Sequence, residues 1–429
     1  MPDHAMTTGS DVTVVGLDGS GLPPGGAGAL ARAGVVVGGA RQLADPAVAA
    51  LLPAVARRVV LGPLDTGVQE VRAAAVPVVV LASGDPGFFG IVRRLVAAGL
   101  RPTVLPAVSS VALAFARAGL PHDTARVVSA HGRDARAALA VVASGVRCAV
   151  LTDEITGPAE LAAVAVPGSR VLVAERLGHP DEQVHDLLAE DIGAGPWRQP
   201  NVVVVDPPPI PAWSDEGPAR LAGPPSRGPW ALPEDAFAHR DGMVTKAEVR
   251  AWTLARLGPA PGTWVWDVGA GSGSVAVEAA RLGAAVVAVE RNPEQCKRIR
   301  ANAAAHAVHV RVLPGEAPGA LAELAGLPTP DAVFVGGGGL DVLAALADPG
   351  TADRKATRVV VALAALDRVG PALALLRAAG YRTDGVQLCA ARLADLPGGS
   401  VRLAATNPVV VLHGELDEGD QSTGQGERA

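Results

Sequence analysis

Short apolar runs alternate with amphipathic helical segments along the first 206 residues. Runs of this length, bounded by glycine, proline or acidic residues, are typical of buried strands. Their alternation with helices predicts an α/β domain with a largely parallel sheet. The predicted strands are Val12–Gly16, Val35–Gly38, Val76–Ala82, Thr103–Pro106, Val127–Ala130, Ala149–Thr152, Val171–Ala174 and Val202–Val205.

A second series of apolar runs follows Pro233. Its predicted strands are Trp264–Val268, Ala284–Val289, Val308–Leu313, Ala332–Val335, Val359–Ala362, a run near Gly385–Leu388, and Val409–Leu412. Nine prolines lie between the two series and prevent a regular helix there. The sequence therefore predicts a domain at 1–206, a proline-rich linker at 207–233, a second domain at 234–414 and a disordered polar tail at 415–429.

The strongest chemical signal is the turn that follows Val268. It reads Gly269-Ala270-Gly271-Ser272-Gly273, enters a helix, and is followed by a strand that ends on Glu290. Glycines allow a backbone to approach a ligand, and a carboxylate at this distance is placed to accept the two hydroxyls of a ribose. A tight strand-to-helix turn is the structural alternative. The Gly-x-Gly-x-Gly spacing differs from the Gly-x-Gly-x-x-Gly of dinucleotide-binding sites, so it favours another nucleoside ligand.

Three loops of the first half also follow predicted strands. They contain Gly16-Leu17, Gly84-Asp85 and Ser109-Ser110, and they lie at carboxyl ends of strands, where open α/β sheets bind ligands. These loops also have a purely structural explanation, because Asp-Pro is common in turns and one of the two serines is expected to be a helix N-cap. His131 follows another strand, and alone it is more often structural than catalytic.

The segment before the second glycine turn combines a helix start with positive charge. Thr245 and Glu248 have the spacing of a capping box, and Arg240, Lys246 and Arg250 lie around it. These cations are candidates for binding the carboxylates of a substrate, with solvated surface charge as the alternative. Four glycines at 336–339 follow another predicted strand. They predict either a loop against a large flat ligand or a flexible turn.

Composition narrows the choice of partners. Net charge is −6, which argues against nucleic acid as a bulk partner but not against a local basic pocket. Three widely separated cysteines give neither metal-ligand spacing nor a disulfide framework, so no metal is expected and a reducing cytoplasm fits. We also expect no signal peptide and no membrane span.

Residues 10–206 resemble the tetrapyrrole (class III) methyltransferases that use S-adenosylmethionine (SAM). The resemblance rests on Val36-Val37-Gly38-Gly39 with Arg41, Ser83-Gly84-Asp85-Pro86, Ser109-Ser110, Ser129-x-His131-Gly132-Arg133, and Glu175-Arg176-Leu177-Gly178. It implies two α/β subdomains with SAM in the cleft between them, contacted by Gly16, Leu17, Gly84, Asp85, Ser109 and Ser110. It is closest to methylases of precorrin carbon 5. Many members have Gly-Pro-Gly in the first loop, whereas this chain has Asp18-Gly19-Ser20-Gly21.

Residues 236–412 resemble class I (Rossmann-like) SAM methyltransferases, and among them the decarboxylating methylases of precorrin carbon 15. The motifs are Gly-x-x-Thr-Lys-x-Glu-x-Arg, Asp-Val-Gly-x-Gly-x-Gly, Glu290-Arg291-Asn292-Pro293 and Gly315-Glu316-Ala317-Pro318. The resemblance implies that SAM binds Thr245, Gly269, Ala270, Gly271, Ser272, Gly273, Glu290 and Ala317. Together the two resemblances imply methylation of a precorrin at carbons 5 and 15, with decarboxylation of the carbon-12 acetate, in cobalamin biosynthesis. A homo-oligomer is also expected.

Four alternatives stay open at this point. The macrocycle contains cobalt, or the chain is an NAD-dependent two-domain oxidoreductase, or one half has lost SAM binding and only scaffolds, or the second half methylates protein or RNA. The glycine spacing argues against the oxidoreductase, and the charge argues against RNA.

Overall fold

The computed structural model describes residues 11–61, 64–131, 134–209, 229–240, 244–337, 339–347 and 355–416. We call residues 11–209 the N-terminal half and residues 229–416 the C-terminal half. The strands are β1 (Val12–Leu17), β2 (Val35–Gly38), β3 (Arg57–Val60), β4 (Val78–Ser83), β5 (Thr103–Leu105), β6 (Arg126–Ser129), β7 (Cys148–Leu151), β8 (Arg170–Glu175), β9 (Gln183–Leu188), β10 (Asn201–Asp206), β11 (Trp264–Val268), β12 (Ala285–Glu290), β13 (Arg311–Pro314), β14 (Ala332–Val335), β15 (Arg358–Leu363), β16 (Arg382–Leu388), β17 (Ala391–Asp395), β18 (Val401–Ala405) and β19 (Val409–Glu415).

The helices fall between these strands as the alternating pattern predicts. They are α1 (Gly26–Arg32), α2 (Ala40–Leu43), α3 (Pro46–Ala49), α4 (Leu64–Ala73), α5 (Val92–Ala97), α6 (Ser110–Ala118), α7 (Arg136–Ala143), α8 (Pro158–Val164), α9 (Ala247–Leu257), α10 (Ser274–Arg281), α11 (Pro293–Ala305), α12 (Gly339–Ala347) and α13 (Val369–Ala378), with short 3-10 helices at Ala189–Asp191, Glu234–Ala236, Gly319–Gly326 and Leu366–Arg368.

The N-terminal half contains two five-stranded sheets, which confirms two α/β subdomains. The first has the order β3-β2-β4-β1-β5, and all its neighbours are parallel. Its central strands are valine-rich and buried on both faces, as a helix-covered parallel sheet requires.

The second sheet has the order β6-β7-β10-β8-β9 and is mixed. Only β6 and β7 pair in parallel, while β10 is antiparallel to both of its neighbours and β9 is antiparallel to β8. The prediction of a largely parallel arrangement is therefore wrong for this sheet. The short connection from β8 to β9 permits only an antiparallel pair, because a parallel crossover needs a dozen or more residues.

The C-terminal half has a seven-stranded sheet of order β13-β12-β11-β14-β15-β19-β16. Strands β11 to β15 are parallel, and β19 is antiparallel to β15 and β16. The order reverses between β11 and β14, which places the loops after these two strands side by side at the carboxyl edge. Buried side chains fill both faces, as in a doubly wound Rossmann-like domain.

Several predicted features lie outside the described residues. They are residues 210–228 of the linker predicted at 207–233, residues 417–429 of the tail predicted at 415–429, and Gly132, Arg133, Gly242 and Gly338. Among the residues that are described, no helix combines the length and apolarity needed to span a bilayer.

Candidate functional site

The loop after β11 is built from glycines in the left-handed region. Gly269, Gly271 and Gly273 have φ of 74°, 56° and 77°. A Cβ at Gly269 would lie 2.7 Å from the Cα of Gly337, so this glycine is required by backbone packing. A Cβ at Gly271 would meet no atom of the described residues within 4 Å. The loop thus leaves an open cradle beside Gly271.

Glu290 closes one side of this cradle. Glu290 is 9% exposed; Oε2 accepts a hydrogen bond from the Gly271 N–H at 2.8 Å, and Oε1 accepts one from the Asn292 backbone N–H at 2.9 Å. A carboxylate accepts about four hydrogen bonds, so capacity remains for ligand hydroxyls. The structure therefore brings Glu290 and the glycine loop together.

The other predicted residues of this site lie at the same sheet edge. Ala270 is half-buried, and Ser272 is 2% exposed with its carbonyl accepting the Asn302 side-chain amide at 2.9 Å. The turn that carries Ala317 is held beside Glu290, because the Gly315 N–H donates to the Glu290 carbonyl at 3.0 Å.

Two glycines of the 336–339 run contact the same loop. The Gly336 N–H donates to the Val268 carbonyl at 3.1 Å, and a Cβ at Gly337 would lie 3.5 Å from the Gly269 carbonyl oxygen. Close contact between two backbones explains these glycines, and contact with a flat ligand stays a prediction.

Asp267 is a buried carboxyl directly behind the loop. Oδ2 accepts the Ala276 N–H at 3.0 Å, whereas Oδ1 has no hydrogen-bond partner among the described residues. Burial raises the pKa of Asp267 to about 7; the Ala276 hydrogen bond opposes this rise, and the charge of Glu290 adds to it. A fully buried polar atom without a partner is rare in protein interiors, so Oδ1 points to a group that completes this site.

The prediction that Arg250 binds a substrate carboxylate is wrong. Arg250 is fully buried and its Nε donates to Glu278 Oε2 at 2.7 Å; the Glu278 side chain is also fully buried. Its other nitrogens donate to the carbonyls of Thr245 and Leu232, and the guanidinium lies 4.7 Å from the Phe237 ring centroid. All donor groups face protein, so none is available to a substrate.

The predicted capping box at Thr245 is also wrong. The N-cap of α9 is Lys246. The backbone N–H of Ala247, in the first turn of the helix, donates to Glu234 Oε1 at 2.9 Å. Glu248 instead forms an ion pair with Arg392. Thr245 is half-buried next to this helix start, and its contact with a cofactor stays a prediction. Arg240 is exposed and Lys246 half-buried, so both stay candidates for carboxylate binding.

In the N-terminal half, the three predicted loops meet. The Gly84 N–H donates to the Leu17 carbonyl at 2.7 Å, and the Ala107 N–H lies 3.4 Å from the Gly84 carbonyl. A Cβ at Gly16 would lie 2.1 Å from that same oxygen. The loops containing Gly16-Leu17, Gly84-Asp85 and Ser109-Ser110 thus form one surface.

The polar side chains of these loops shape the backbone. Asp85 Oδ1 accepts the Gly87 N–H at 2.8 Å. Ser109 Oγ accepts the Ala112 N–H at 3.1 Å, which confirms a serine as the N-cap of α6, and Ser110 is the first residue of that helix.

Asp18 is a structural residue of this surface that the sequence did not single out. Oδ2 accepts the Val108 N–H at 3.1 Å, and Oδ1 accepts the Ser20 N–H at 2.9 Å. Burial acts to raise the pKa of Asp18, but these hydrogen bonds outweigh it and lower the pKa. The available signal was that this loop has Asp18-Gly19-Ser20-Gly21 where many members have Gly-Pro-Gly, and the structure shows that Asp18 ties the first loop to the third.

A cavity of 530 Å³ opens in the same half, at the carboxyl ends of β6 and β7. Its lining includes His131, Thr152, Asp153, Ile155, Gln199 and Pro200. Among the described residues of both halves, no group of three histidine, cysteine or acidic side chains is placed to hold a metal ion.

Comparison with known proteins gives two family matches. The model of tetrapyrrole (corrin/porphyrin) methylases matches residues 13–193, and that of a precorrin methyltransferase domain matches residues 235–410.

Three relatives are similar to all or part of this chain. The precorrin-6Y C(5,15)-methyltransferase (decarboxylating) of Sinorhizobium sp is 39% identical over 76% of this chain and 78% of that protein. A probable cobalt-precorrin-6B C(15)-methyltransferase (decarboxylating) of Pyrobaculum calidifontis is 35% identical over 42% of this chain and 93% of its own length. The cobalt-precorrin-7 C(5)-methyltransferase of Salmonella typhimurium is 33% identical over 46% of this chain and 98% of its own length.

Proposed function

The chain belongs to the family of decarboxylating precorrin-6Y C(5,15)-methyltransferases, and from this we propose that each half methylates one carbon of the same macrocycle. The predicted domain at 1–206, which contains most of the N-terminal half, methylates carbon 5. The predicted domain at 234–414, which contains most of the C-terminal half, methylates carbon 15, and the carbon-12 acetate loses its carboxyl group as CO₂. The observation that carries the proposal is that one chain contains two separate sets of glycine loops at carboxyl edges of sheets, each with its own carboxylates.

The methyl donor is proposed to be SAM, whose sulfonium makes the methyl group electrophilic. In the C-terminal half, Glu290 would hold the ribose hydroxyls, the Gly269–Gly273 backbone would lie along the donor, and Ala317 would contact its base. The open space at Gly271 and the unpartnered Oδ1 of Asp267 fit a polar ligand of this kind. In the N-terminal half, the surface formed by the Gly16, Gly84 and Ser109 loops has the same role.

The residues of both sites position their ligands and do not form covalent bonds with them. Transfer of an activated methyl group to an electron-rich carbon depends on alignment of the reacting atoms, which rigid loops supply. Arg240 and Lys246 would bind peripheral carboxylates of the precorrin in the C-terminal half, and the cavity beside His131 would receive the macrocycle in the N-terminal half. When CO₂ leaves, the electron pair of the broken bond stays with the conjugated macrocycle.

The test is stoichiometry and product mass with labelled SAM. Equilibrium dialysis of the full chain is expected to give two SAM sites per chain, and metal-free precorrin-6Y is expected to gain two methyl groups and lose one CO₂. If only the cobalt-containing macrocycle is converted, the substrate is the cobalt-containing precorrin of the anaerobic pathway. One SAM site per chain, or one added methyl, would contradict the proposal.

The Gly271→Val variant distinguishes the activities of the two halves. Valine at φ 56° costs about 1–2 kcal/mol of backbone strain, and its Cβ points into the open cradle, where it meets no atom of the described residues within 4 Å. We expect one SAM site per chain, loss of carbon-15 methylation and CO₂ release, and retained carbon-5 methylation. Gly380→Val is the matched control, because Gly380 also has positive φ and open space beside it but lies after α13.

We also propose that copies of the chain associate through the β17–β18 hairpin. Its outer face carries Leu393, Val401 and Leu403, which are 73%, 56% and 67% exposed, and Leu393 pairs directly with Leu403. A two-stranded sheet is marginally stable alone, and an uncovered apolar face of this kind is typical of an interface. A second copy offers the same face and therefore a self-complementary contact.

A further inference from the structure

The connection between β8 and β9, residues 176–182, contacts the loop that follows β1. A Cβ at Gly19 would overlap the Gly178 carbonyl oxygen, and a Cβ at Gly178 would overlap the Asp18 carbonyl oxygen. Both glycines have positive φ, 84° at Gly19 and 74° at Gly178. The two backbones are therefore in direct contact, and neither position has room for a side chain.

Glu182 fixes the connection in this position. Its Oε2 accepts the Gly178 N–H at 2.8 Å, and its Oε1 accepts the Arg117 Nε–H at 2.6 Å. The Glu182 side chain is only 19% exposed. The hydrogen bond from Arg117 lowers the pKa of Glu182, burial opposes this change, and the bond from Gly178 lowers the pKa further, so the carboxylate is ionised at neutral pH. One carboxylate thus joins the glycine that contacts the first loop to helix α6.

Helix α6 connects this carboxylate to the third loop. The helix packs on the second sheet, because Phe115 is fully buried in one cluster with Leu172 of β8 and Val204 of β10. Arg117 lies in its last turn, and Ser109 is its N-cap. The partner of Glu182 therefore belongs to the same helix whose start forms the Ser109-Ser110 loop.

The first loop has a second attachment on the same side. Asp18 Oδ2 accepts the Val108 N–H at 3.1 Å, and Val108 directly precedes Ser109. The first loop is thus held at two points, Val108 and Gly178, both next to elements of the second sheet. These two contacts set its position relative to the third loop.

We propose that Glu182 is a positioning residue for SAM binding in the N-terminal half. It holds Gly178 against the Asp18-Gly19 backbone, and so keeps the first loop where the three loops form one surface. The role is carried by the backbone of the first loop, so it needs no contact between Glu182 and SAM. The inference rests on the proposed binding of SAM by these loops.

Loss of Glu182 should lower the affinity for SAM more than the turnover rate. Without the carboxylate, the first loop occupies its binding position for a smaller fraction of the time, and the apparent affinity falls in proportion to that fraction. Bound SAM then restores the arrangement, so the aligned complex and its kcat are retained. A hydrogen bond to a charged group changes an equilibrium by about tenfold or more, which gives the expected size of the effect.

The test uses the full chain with Glu182→Ala, and Glu190→Ala is the matched control. Glu190 Oε1 accepts the Gly168 N–H at 2.6 Å, and Gly168 has φ 77°, but this glycine lies before β8, at the opposite end of the strand from Gly178. Both variants are assayed by equilibrium dialysis with SAM and by thermal unfolding. The KM for SAM and the kcat are measured for carbon-5 methylation and for carbon-15 methylation with CO₂ release.

For Glu182→Ala we expect one of the two SAM sites to bind about tenfold more weakly, with about a tenfold higher carbon-5 KM for SAM, a carbon-5 kcat within about twofold of wild type and an unchanged carbon-15 reaction. Glutamine has one acceptor oxygen, so Glu182→Gln keeps only one of the two contacts and should give a smaller increase in KM. Glu190→Ala should leave both reactions unchanged.

An unchanged SAM affinity and carbon-5 KM in Glu182→Ala would overturn the inference, and so would an equal change in Glu190→Ala. If thermal unfolding shows that Glu182→Ala does not fold, Glu182→Gln decides, and an unchanged carbon-5 KM for SAM in that variant would overturn the inference. Failure of the proposed function is distinguishable, because the wild-type chain itself would then bind SAM at one site per chain and add no methyl at carbon 5.

Discussion

At the scale of single residues, charge in the sequence did not reveal which side chains are available to a ligand. Arg250 and Lys246 are four positions apart at the same helix start, and no local feature of the chain separates them. Glu278, 28 residues later, pairs with Arg250 inside the core, and Lys246 keeps a half-exposed side chain. The distinction depends on a partner from another helix, which no local pattern encodes.

Asp267 gives a pH prediction at this scale. Its pKa is about 7 in the folded chain against 3.8 as the ordinary value, so between these values the folded state binds a proton that the unfolded state has lost. The stabilisation is therefore complete below about pH 4 and is lost as pH rises through 7. An asparagine side chain cannot titrate, so Asp267→Asn should gain stability relative to wild type between pH 5 and pH 8, by about 1–4 kcal/mol.

Thermal unfolding at each pH measures this difference. Asp395→Asn, at an exposed strand end, serves as the control and should follow the wild-type curve. Parallel pH curves for wild type and Asp267→Asn would show that the Asp267 carboxyl titrates at its ordinary pKa.

At the scale of elements, the apolar runs predicted the strands, whereas edge strands without such a run were missed. Every predicted strand is present; most are buried, and β5, β13 and β16 are partly exposed strands that still contain an apolar run. Strands β3 and β9 were missed. Both lie at sheet edges with mostly exposed residues, Arg57-Arg58 in one and Gln183 to Leu188 in the other, and so lack the apolar run that marks a strand.

The β17–β18 hairpin was also not predicted from the sequence. Its outer face leads to a prediction about self-association. Its inner face is tied down by Arg392, which forms ion pairs with Glu234 at 2.7 Å and Glu248 at 2.5 Å. The side-chain hydrogen bond to Arg392 lowers the pKa of Glu234 to about 2 against the opposing effect of burial, so this attachment persists at neutral pH. The outer apolar face is thereby held in a fixed orientation for association.

Leu393→Ser with Leu403→Ser should weaken self-association without unfolding the chain, because both side chains are mostly exposed. We expect at least a tenfold increase in the dissociation constant by analytical ultracentrifugation. Leu366→Ser, a 70% exposed leucine outside the hairpin, is the control. An oligomer that survives the double substitution would place the interface elsewhere.

At the scale of the whole molecule, the N-terminal half contacts the C-terminal sheet at the edge opposite the proposed C-terminal site. The N-terminal half contacts the amino ends of β11 and β12, whereas Gly269 and Glu290 lie at the carboxyl edge of the same strands. Five residues of β11 separate the two edges, about 13 Å at the usual rise per residue. We therefore predict that a singly methylated macrocycle leaves one site before it enters the other.

Mixing two variants, each with one disabled site, tests this release. Gly84→Val is designed to disable the N-terminal site, because a Cβ there would lie 3.2 Å from the Ser109 Cα, and Gly271→Val disables the C-terminal one. The mixture should form doubly methylated, decarboxylated product after a lag that shortens with enzyme concentration, while each variant alone stops after one methylation. The activity of the intact site in each variant reports that the chain is folded. No doubly methylated product from the mixture would indicate transfer within one chain.

The sequence by itself determined the α/β character, the positions of the buried strands and the loops that follow them. These depend on local periodicity and on the conformational freedom of glycine, and both are properties of neighbouring residues. Only the tertiary structure decided that Arg250 is a core residue, that Asp18 joins two loops, and that Arg136 of one half is held by Asp331 of the other. Each of these is a contact between residues far apart in the chain, and it exists only once packing has chosen which surfaces meet.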